Sequence, residues 1–469
     1  MKIKLKFIPI LALTLCINIV SAQEEPKDTT TEYSLQEIQN YAVKHNYEVQ
    51  NTQLDIEVAK KQKWETTAIG LPRIEGSAEY QNFPEIPTQL MPNFITPAVY
   101  GVNTGLFGLI PIAPMPEDEK MPVQFGSKHN TTWGVTASQL LFSGEYIVGL
   151  KASKIYLELS KTAHKRKKEE VKETVSKTYY LILITEESIS LMDSVYRGLE
   201  QLRHETEQLV EAGFAEQTDA RQIELNVKNT ENSLNSMRQQ REILYRMLKF
   251  QSGLEENTPI QLSSGLPEII SEMDSANVLM ADFDLYQTTD YRMLQVQQEL
   301  SQLELMREKS LVLPQLSAYF SYSEQAMQEE LDLFSEDTEW YPTSVWGIKL
   351  TIPIFASGQR WAKIKQKQYK FEKTVNIKSQ NSRALQLDFA QTRSNYTATS
   401  ENLENIEANK KLALQIYENT KVKYKEGTAS GLELTQAQNQ YFISLTNYYS
   451  TLGDLIDIHI KLKRLLRFE

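Results

Sequence analysis

The sequence predicts a mainly α-helical protein with a four-stranded β contribution, written as a tandem duplication. Three observations carry that class. The stretch "WGVTASQLLFSG" (133–144) returns as "WGIKLTIPIFASG" (346–358), a strand-like alternation that ends in a Phe and a Gly. Each copy opens a Pro-free helical pattern, from Gly144 to about Ala212 and from Gly358 to about Glu426. At ~1.5 Å per residue each run would extend on the order of 100 Å. A glycine interrupts each run, Gly213 and then Gly427, an offset of 214 against 213 between Trp133 and Trp346. Near-constant register over some eighty residues points to duplication rather than to a solenoid, which needs more and shorter repeats.

Taken in order, the chain opens on "MKIKLKFIPILALTLCINIVSA". Lys2, Lys4 and Lys6 precede an apolar stretch, and Val20-Ser21-Ala22 is a small-residue cleavage site, so residues 1–22 read as a secretory signal peptide. The apolar stretch is short for a membrane anchor. Cys16 lacks the small residues that would precede a lipoprotein cysteine and reads as part of the apolar stretch. Cleavage removes three lysines and no acid, so the formal charge moves from -11 to -14, and it removes the single cysteine. No disulfide framework remains. An acidic chain is also a poor nucleic-acid binder, which needs a basic face.

A polar linker covers 23–33. The first repeat, 34–250, starts with a capping-box spacing, Ser34 and Glu37, and a helical pattern to about Ile69. Strands follow at 73–82 and 131–141, separated by a Pro- and Gly-rich loop at 83–130 that is long enough to suggest exposure or function. The long helix, a turn near 213 and a second helix complete the repeat. An irregular connector spans 251–280. The second repeat, 281–469, runs helix, strand 315–322, loop 323–343, strand 344–353, long helix, turn near 427, helix. Pro353, where the first copy has Leu140, predicts that the last strand leaves its ladder early.

All four strands alternate apolar with polar residues. Such a sheet can pack on a soluble helix, or it can meet lipid with one face and water with the other. Tyr80, Trp133, Tyr322 and Trp346 favour lipid, because aromatics at one end of each strand form an interfacial belt. Four strands cannot enclose a lumen, and open edges are not tolerated in lipid. Other copies must close the barrel, giving eight strands in a dimer or twelve in a trimer. The opposite, water-facing positions include Glu75, Glu79 and Lys349. Lys151, Lys154, Lys363, Lys365 and Lys367 follow the junctions, either near the inner leaflet or on a plain solvated face. Heptad-spaced Phe389, Tyr396, Leu403, Tyr417 and Tyr424 give a narrow, half-polar seam suited to staves packed side by side.

At this point the residues resemble the TolC family of outer-membrane efflux and export proteins. The carriers are the doubled "LP" strand entries at 69–72 and 311–314, the doubled Phe-to-Gly junctions and the Gly breaks "VEAGFAEQTDARQ" and "YKEGTASGLELTQAQ". The resemblance covers essentially the whole mature chain. It implies a homotrimer with a twelve-stranded outer-membrane barrel continuing into a periplasmic α-helical barrel, acting as exit duct of a tripartite efflux or type I secretion system. It implies a periplasmic adaptor, an inner-membrane pump and outer-membrane lipid as partners. It also implies that Gly213, Phe214, Gly427 and Thr428 form tip turns that dock the adaptor, and that Tyr424, Glu433, Gln436 and Asp219 lie at the constriction. Ala429 and Gln436 stand where the better-known pattern has an Arg and a second acid, which puts a charged lock in doubt. Glu433 reads equally as a helix N-terminal acid. The alternative is a soluble periplasmic coiled-coil adaptor or structural protein. Five scattered histidines show no metal spacing, and no catalytic constellation appears, so neither metal, cofactor nor enzymatic activity is expected.

Overall fold

The computed structural model describes residues 31–92, 120–267, 270, 279–332 and 338–466. The expected signal peptide, most of the 23–33 linker, the centre of the 83–130 loop and parts of the 251–280 connector and 323–343 loop lie outside these residues. The chain packs as two units, Val43–Lys177 with Asp274–Glu469, and Met1–Ala42 with Thr178–Met273.

The first of these units contains the sheet. Strands β2 (Arg73–Asn82), β5 (His129–Ser143), β7 (Gln315–Gln328) and β8 (Tyr341–Thr351) pair antiparallel in the order β2-β5-β7-β8, so β2 and β8 are open edges. Three strands differ from the sequence expectation of 131–141, 315–322 and 344–353. β7 runs to Gln328 because its outer half pairs with the outer half of β5 (His129↔Gln328), while Gln325↔Tyr341 extends β8 in the same direction. β8 ends at Thr351, two residues before Pro353, whereas β5 continues to Ser143 past an irregularity between Leu140 and Phe142. The loop expected over 83–130 itself carries a short antiparallel pair, β3 (Thr88–Pro92) and β4 (Lys120–Gln124).

The entry helix is two helices, α1 (Leu35–His45) and α2 (Tyr47–Ala68). The expected single run breaks because Asn46 takes an extended backbone and its side chain accepts from the N–H groups of Glu48 and Val49. The Ser34–Glu37 capping box forms reciprocally, at 2.8 Å and 3.3 Å. Long helices follow the second and fourth strands of the sheet in chain order: α3 (Gly144–Glu211, 68 residues) and, after α5 (Thr289–Ser310), α6 (Gln359–Lys425, 67 residues). α4 (Gln217–Ser252) and α7 (Gly431–Leu466) are 36 residues each.

Within the sheet-bearing unit α6 packs on α7 and α5. Phe389, Thr392, Tyr396, Ala413 and Tyr417 are the buried residues of α6, and Leu403 and Tyr424 of the heptad series are half-buried. α7 answers with Leu434, Tyr441, Leu445, Leu452 and Ile456, and Tyr417 stacks on Tyr441 at 5.9 Å. A seam this rich in Tyr holds through aromatic area as well as aliphatic packing. In the other unit β1 (Thr31–Tyr33) pairs parallel with β6 (Ile260–Leu262), and the Tyr179 hydroxyl donates to the carbonyl of Tyr33.

Candidate functional site

The sheet has two chemically distinct faces. Directly paired residues share a face, and residues two apart on one strand share it too. The register Tyr80↔Thr131, Tyr322↔Val135 and Tyr322↔Ser344 therefore puts Tyr80, Trp133, Tyr322 and Trp346 on one face. Ile74, Val135, Ile348 and Leu350 lie there as well, all exposed. The four aromatics are not level on the ladder. Trp133 lies opposite Ala78, Tyr322 opposite Val135, and Trp346 opposite Phe320, so the series steps two residues per strand in one direction. Residues at one height on a tilted barrel wall step along the register in this monotonic way. Trp133 meets Tyr322 edge-on at 6.1 Å, and the Tyr80 hydroxyl lies 2.8 Å from His129 Nδ1.

Glu75, Glu79 and Lys349 fall on the opposite face with Thr132, Thr136, Ser317 and Ser321. Glu75 is 3.4 Å from Arg73, and Glu79 accepts from Gln81 at 2.7 Å. The doubled Trp-Gly now has a packing reason. A Cβ on Gly134 would stand 2.9 Å from the Tyr322 carbonyl oxygen, and one on Gly347 would stand 2.9 Å from the Tyr319 ring. Both glycines admit close neighbours on the polar face.

The two Gly breaks share one geometry. Gly213 and Gly427 have φ of +80° and +75°. In each, the glycine N–H bonds three residues back (Val210, Tyr424) and the next N–H five back (Phe214 to Leu209, Thr428 to Lys423). This is the Schellman closure, which satisfies the last carbonyls of the helix and requires a left-handed residue. Phe214 is 84% exposed. A second capping box, which the sequence reading missed, sits at the later turn. The Ser430 N–H donates to Glu433 Oε2 at 2.8 Å, and the Glu433 N–H donates to Ser430 Oγ at 3.3 Å. Its signal, Ser three residues before Glu, is the same as at Ser34. Glu433 thus has a visible structural role. Tyr424 is half-buried and Gln436 exposed on the same unit, and Asp219 occupies the first turn of α4 in the other.

Away from the sheet, burial with Lys463 nearby pushes His459 down to about 4, and burial raises the Asp457 carboxyl. Among the described residues no cluster of His, Cys, Asp and Glu could hold a metal ion, and no helix is long and apolar enough to cross a membrane.

An amphipathic antiparallel sheet with free edges thus continues into helices of 68 and 67 residues. Residues 286–466 match the family described as outer membrane efflux protein. The family's description places its members in the outer membrane as efflux proteins. Solved structures agree on the fold. The transmembrane channel protein CusC is 14% identical, with 93% of this chain and 92% of that one covered at a TM-score of 0.69. VceC of Vibrio cholerae is 12% identical over 92% and 95%, at 0.67. The CmeC outer membrane channel of Campylobacter jejuni is 15% identical over 95% and 90%, at 0.67. No curated protein matches.

Proposed function

We propose that the chain is one third of a homotrimeric duct whose twelve-stranded barrel is built from three four-stranded sheets, and that it arose by internal duplication. One observation carries the reading. Both edges of an amphipathic sheet, β2 and β8, are open, and an open edge does not persist in lipid. Pairing β8 of one copy with β2 of the next removes every edge. Three copies give a count within the range of membrane barrels. The near-equal helix pairs, 68 with 67 and 36 with 36 residues, support the duplication. In this duct the aromatic staircase meets the outer interface, and Glu75, Glu79 and Lys349 line the lumen. The Gly213–Phe214 and Gly427–Thr428 turns dock a periplasmic adaptor that brings an energised inner-membrane pump. Residues 1–22 direct export and are removed.

Unheated electrophoresis of the outer-membrane fraction tests the assembly. A band at three times the chain mass that collapses on boiling is expected, and a monomer released with the soluble periplasm would overturn it. Planar-bilayer conductance tests the constriction. Tyr424→Ala should raise conductance, and Glu433→Gln should weaken cation preference while keeping the capping-box acceptor. Wild-type behaviour in both variants removes these residues from the gate.

A further inference from the structure

The sheet does not fill the apolar thickness of a bilayer by itself. From Tyr80 to Arg73 along β2 is about 23 Å of strand. At a tilt of ~40° that is about 18 Å of height, against an apolar band of ~25 Å. The missing height falls where strands become helices, and exposed apolar residues continue there. Ile354 and Phe355 are 93% and 86% exposed, Ile69 and Leu71 are exposed at the first junction, and Val312 and Leu313 at the third. One helical turn farther, Trp64 and Trp361 are 62% and 67% exposed.

The charge then changes sign. The ten helical residues nearest the sheet on α2, α3, α5 and α6 (59–68, 144–153, 301–310 and 359–368) carry ten Lys and Arg but four acids. The chain as a whole carries 50 against 61. Two of the four acids are engaged, Glu145 with Arg307 and Glu304 with Lys367 at 2.7 Å. Lys61, Lys151 and Lys363 make no ion pair among the described residues, and the Lys365 ammonium lies 6.0 Å over the Trp361 ring. The order away from the sheet is therefore apolar, indole, ammonium. That is the order of acyl chain, interface and phosphate in a leaflet.

We propose that this collar is a binding surface for the anionic phospholipid headgroups of the periplasmic leaflet, and that it fixes the depth at which the channel sits. The inference rests on the channel reading above. Lys61, Lys151, Lys363 and Lys365 hold phosphates, while Trp64 and Trp361 seat at the glycerol level with the lysine stems laid along apolar surface.

The test reconstitutes the full-length channel in nanodiscs of phosphatidylethanolamine, alone or mixed with phosphatidylglycerol, and compares it with Lys61→Gln/Lys151→Gln/Lys363→Gln/Lys365→Gln. Wild type should retain phosphatidylglycerol in preference, in a salt-sensitive way, and the fourfold variant should lose about tenfold of that enrichment. A Trp64→Ala/Trp361→Ala variant should keep the enrichment but seat less deeply by brominated-lipid quenching of its remaining tryptophans. Equal retention of both lipids by wild type, or full enrichment in the fourfold variant, overturns the proposal. So does a changed ion preference of the fourfold variant's pore, which would put the lysines in the lumen. A wild type that retains the lipid yet conducts no ions would instead refute the channel reading, and the two failures are separate.

Discussion

The two strand-to-helix junctions carry nearly the same letters and solve different problems. At the first, β5 ends at Ser143 and α3 begins at Gly144 with no residue between. At the second, β8 ends at Thr351, and seven residues intervene before α6 starts at Gln359, closing on Ser357 and Gly358 with φ of 43° and 79°. Gly144 has an ordinary helical backbone, but a Cβ there would stand 2.5 Å from Leu313 Cδ1 and 3.1 Å from the Ser310 carbonyl oxygen. Gly358 is the reverse case, with nothing within 4 Å of its Cβ position and a left-handed φ. One glycine is needed for space and the other for its dihedral angles. The first half couples its strand stiffly to its stave, and the second passes through an extended pivot.

That contrast makes the largest prediction. Gly144→Val should destabilise the channel by about 3 kcal/mol through overpacking against Leu313 and the α5 terminus. Gly358→Ala should cost roughly 1–2 kcal/mol through backbone strain alone. Thermal unfolding of each, with and without Leu313→Ala, separates the causes. Leu313→Ala should recover part of the loss in Gly144→Val and none in Gly358→Ala. Equal coupling of both glycines to Leu313 would erase the distinction.

A second contrast lies deep in the helices. Tyr245 and His459 are each the twenty-ninth residue of a 36-residue helix, one per half. The Tyr245 hydroxyl donates to Glu186 at 2.8 Å, and burial with that carboxylate holds its pKa well up. His459 is buried against Tyr396 at 5.8 Å, and its Nδ1 has no hydrogen-bond partner. Its folded pKa, about 4, lies below the ordinary 6.5, so the unfolded chain binds the proton more tightly. The stabilising effect of keeping the ring neutral is complete above 6.5 and is lost as pH falls through that value toward 4. At pH 5 the loss should reach about 2 kcal/mol. His459→Leu should flatten the pH 7-to-5 change in melting temperature, and Tyr245→Phe should leave it untouched. An unchanged slope in His459→Leu would assign the acid sensitivity elsewhere, and not to Asp457, whose raised pKa makes the folded state the tighter proton binder.

These contrasts also mark how far the sequence could be read. Period-two alternation gave away both faces of the sheet, because a strand's side chains alternate regardless of context. Glycine before a polar run gave away the turns, because the left-handed closure excludes other residues. The outer halves of β7 and β8 were hidden, since "SEQAMQ" and "YPT" have no apolar alternation. The Asn46 break was hidden for a similar reason, because an Asn inside a helical pattern betrays a cap only when its side chain is seen bonding forward. Of the inner-leaflet collar, Lys151, Lys363 and Lys365 were legible as basic residues after the junctions, whereas Lys61, Trp64 and Trp361 stood out only through their exposure in the structure.

The smallest effects belong to the two Schellman turns, which match in backbone but differ in how the next helix is capped. Ser430 caps α7 through its hydroxyl, while Glu216, at the equivalent position before α4, has an extended backbone and makes no side-chain cap bond. Ser430→Ala should therefore cost about 1 kcal/mol of local stability, read as faster amide exchange in the first turn of α7. Glu216→Ser should gain somewhat less than that, since it supplies the missing hydroxyl with Asp219 already three residues on. If the turns were equivalent, both substitutions would be neutral or both would weaken the protein. Opposite signs are what an uncapped first turn and a capped second turn demand, and exchange at the first turn of each helix reads the two separately.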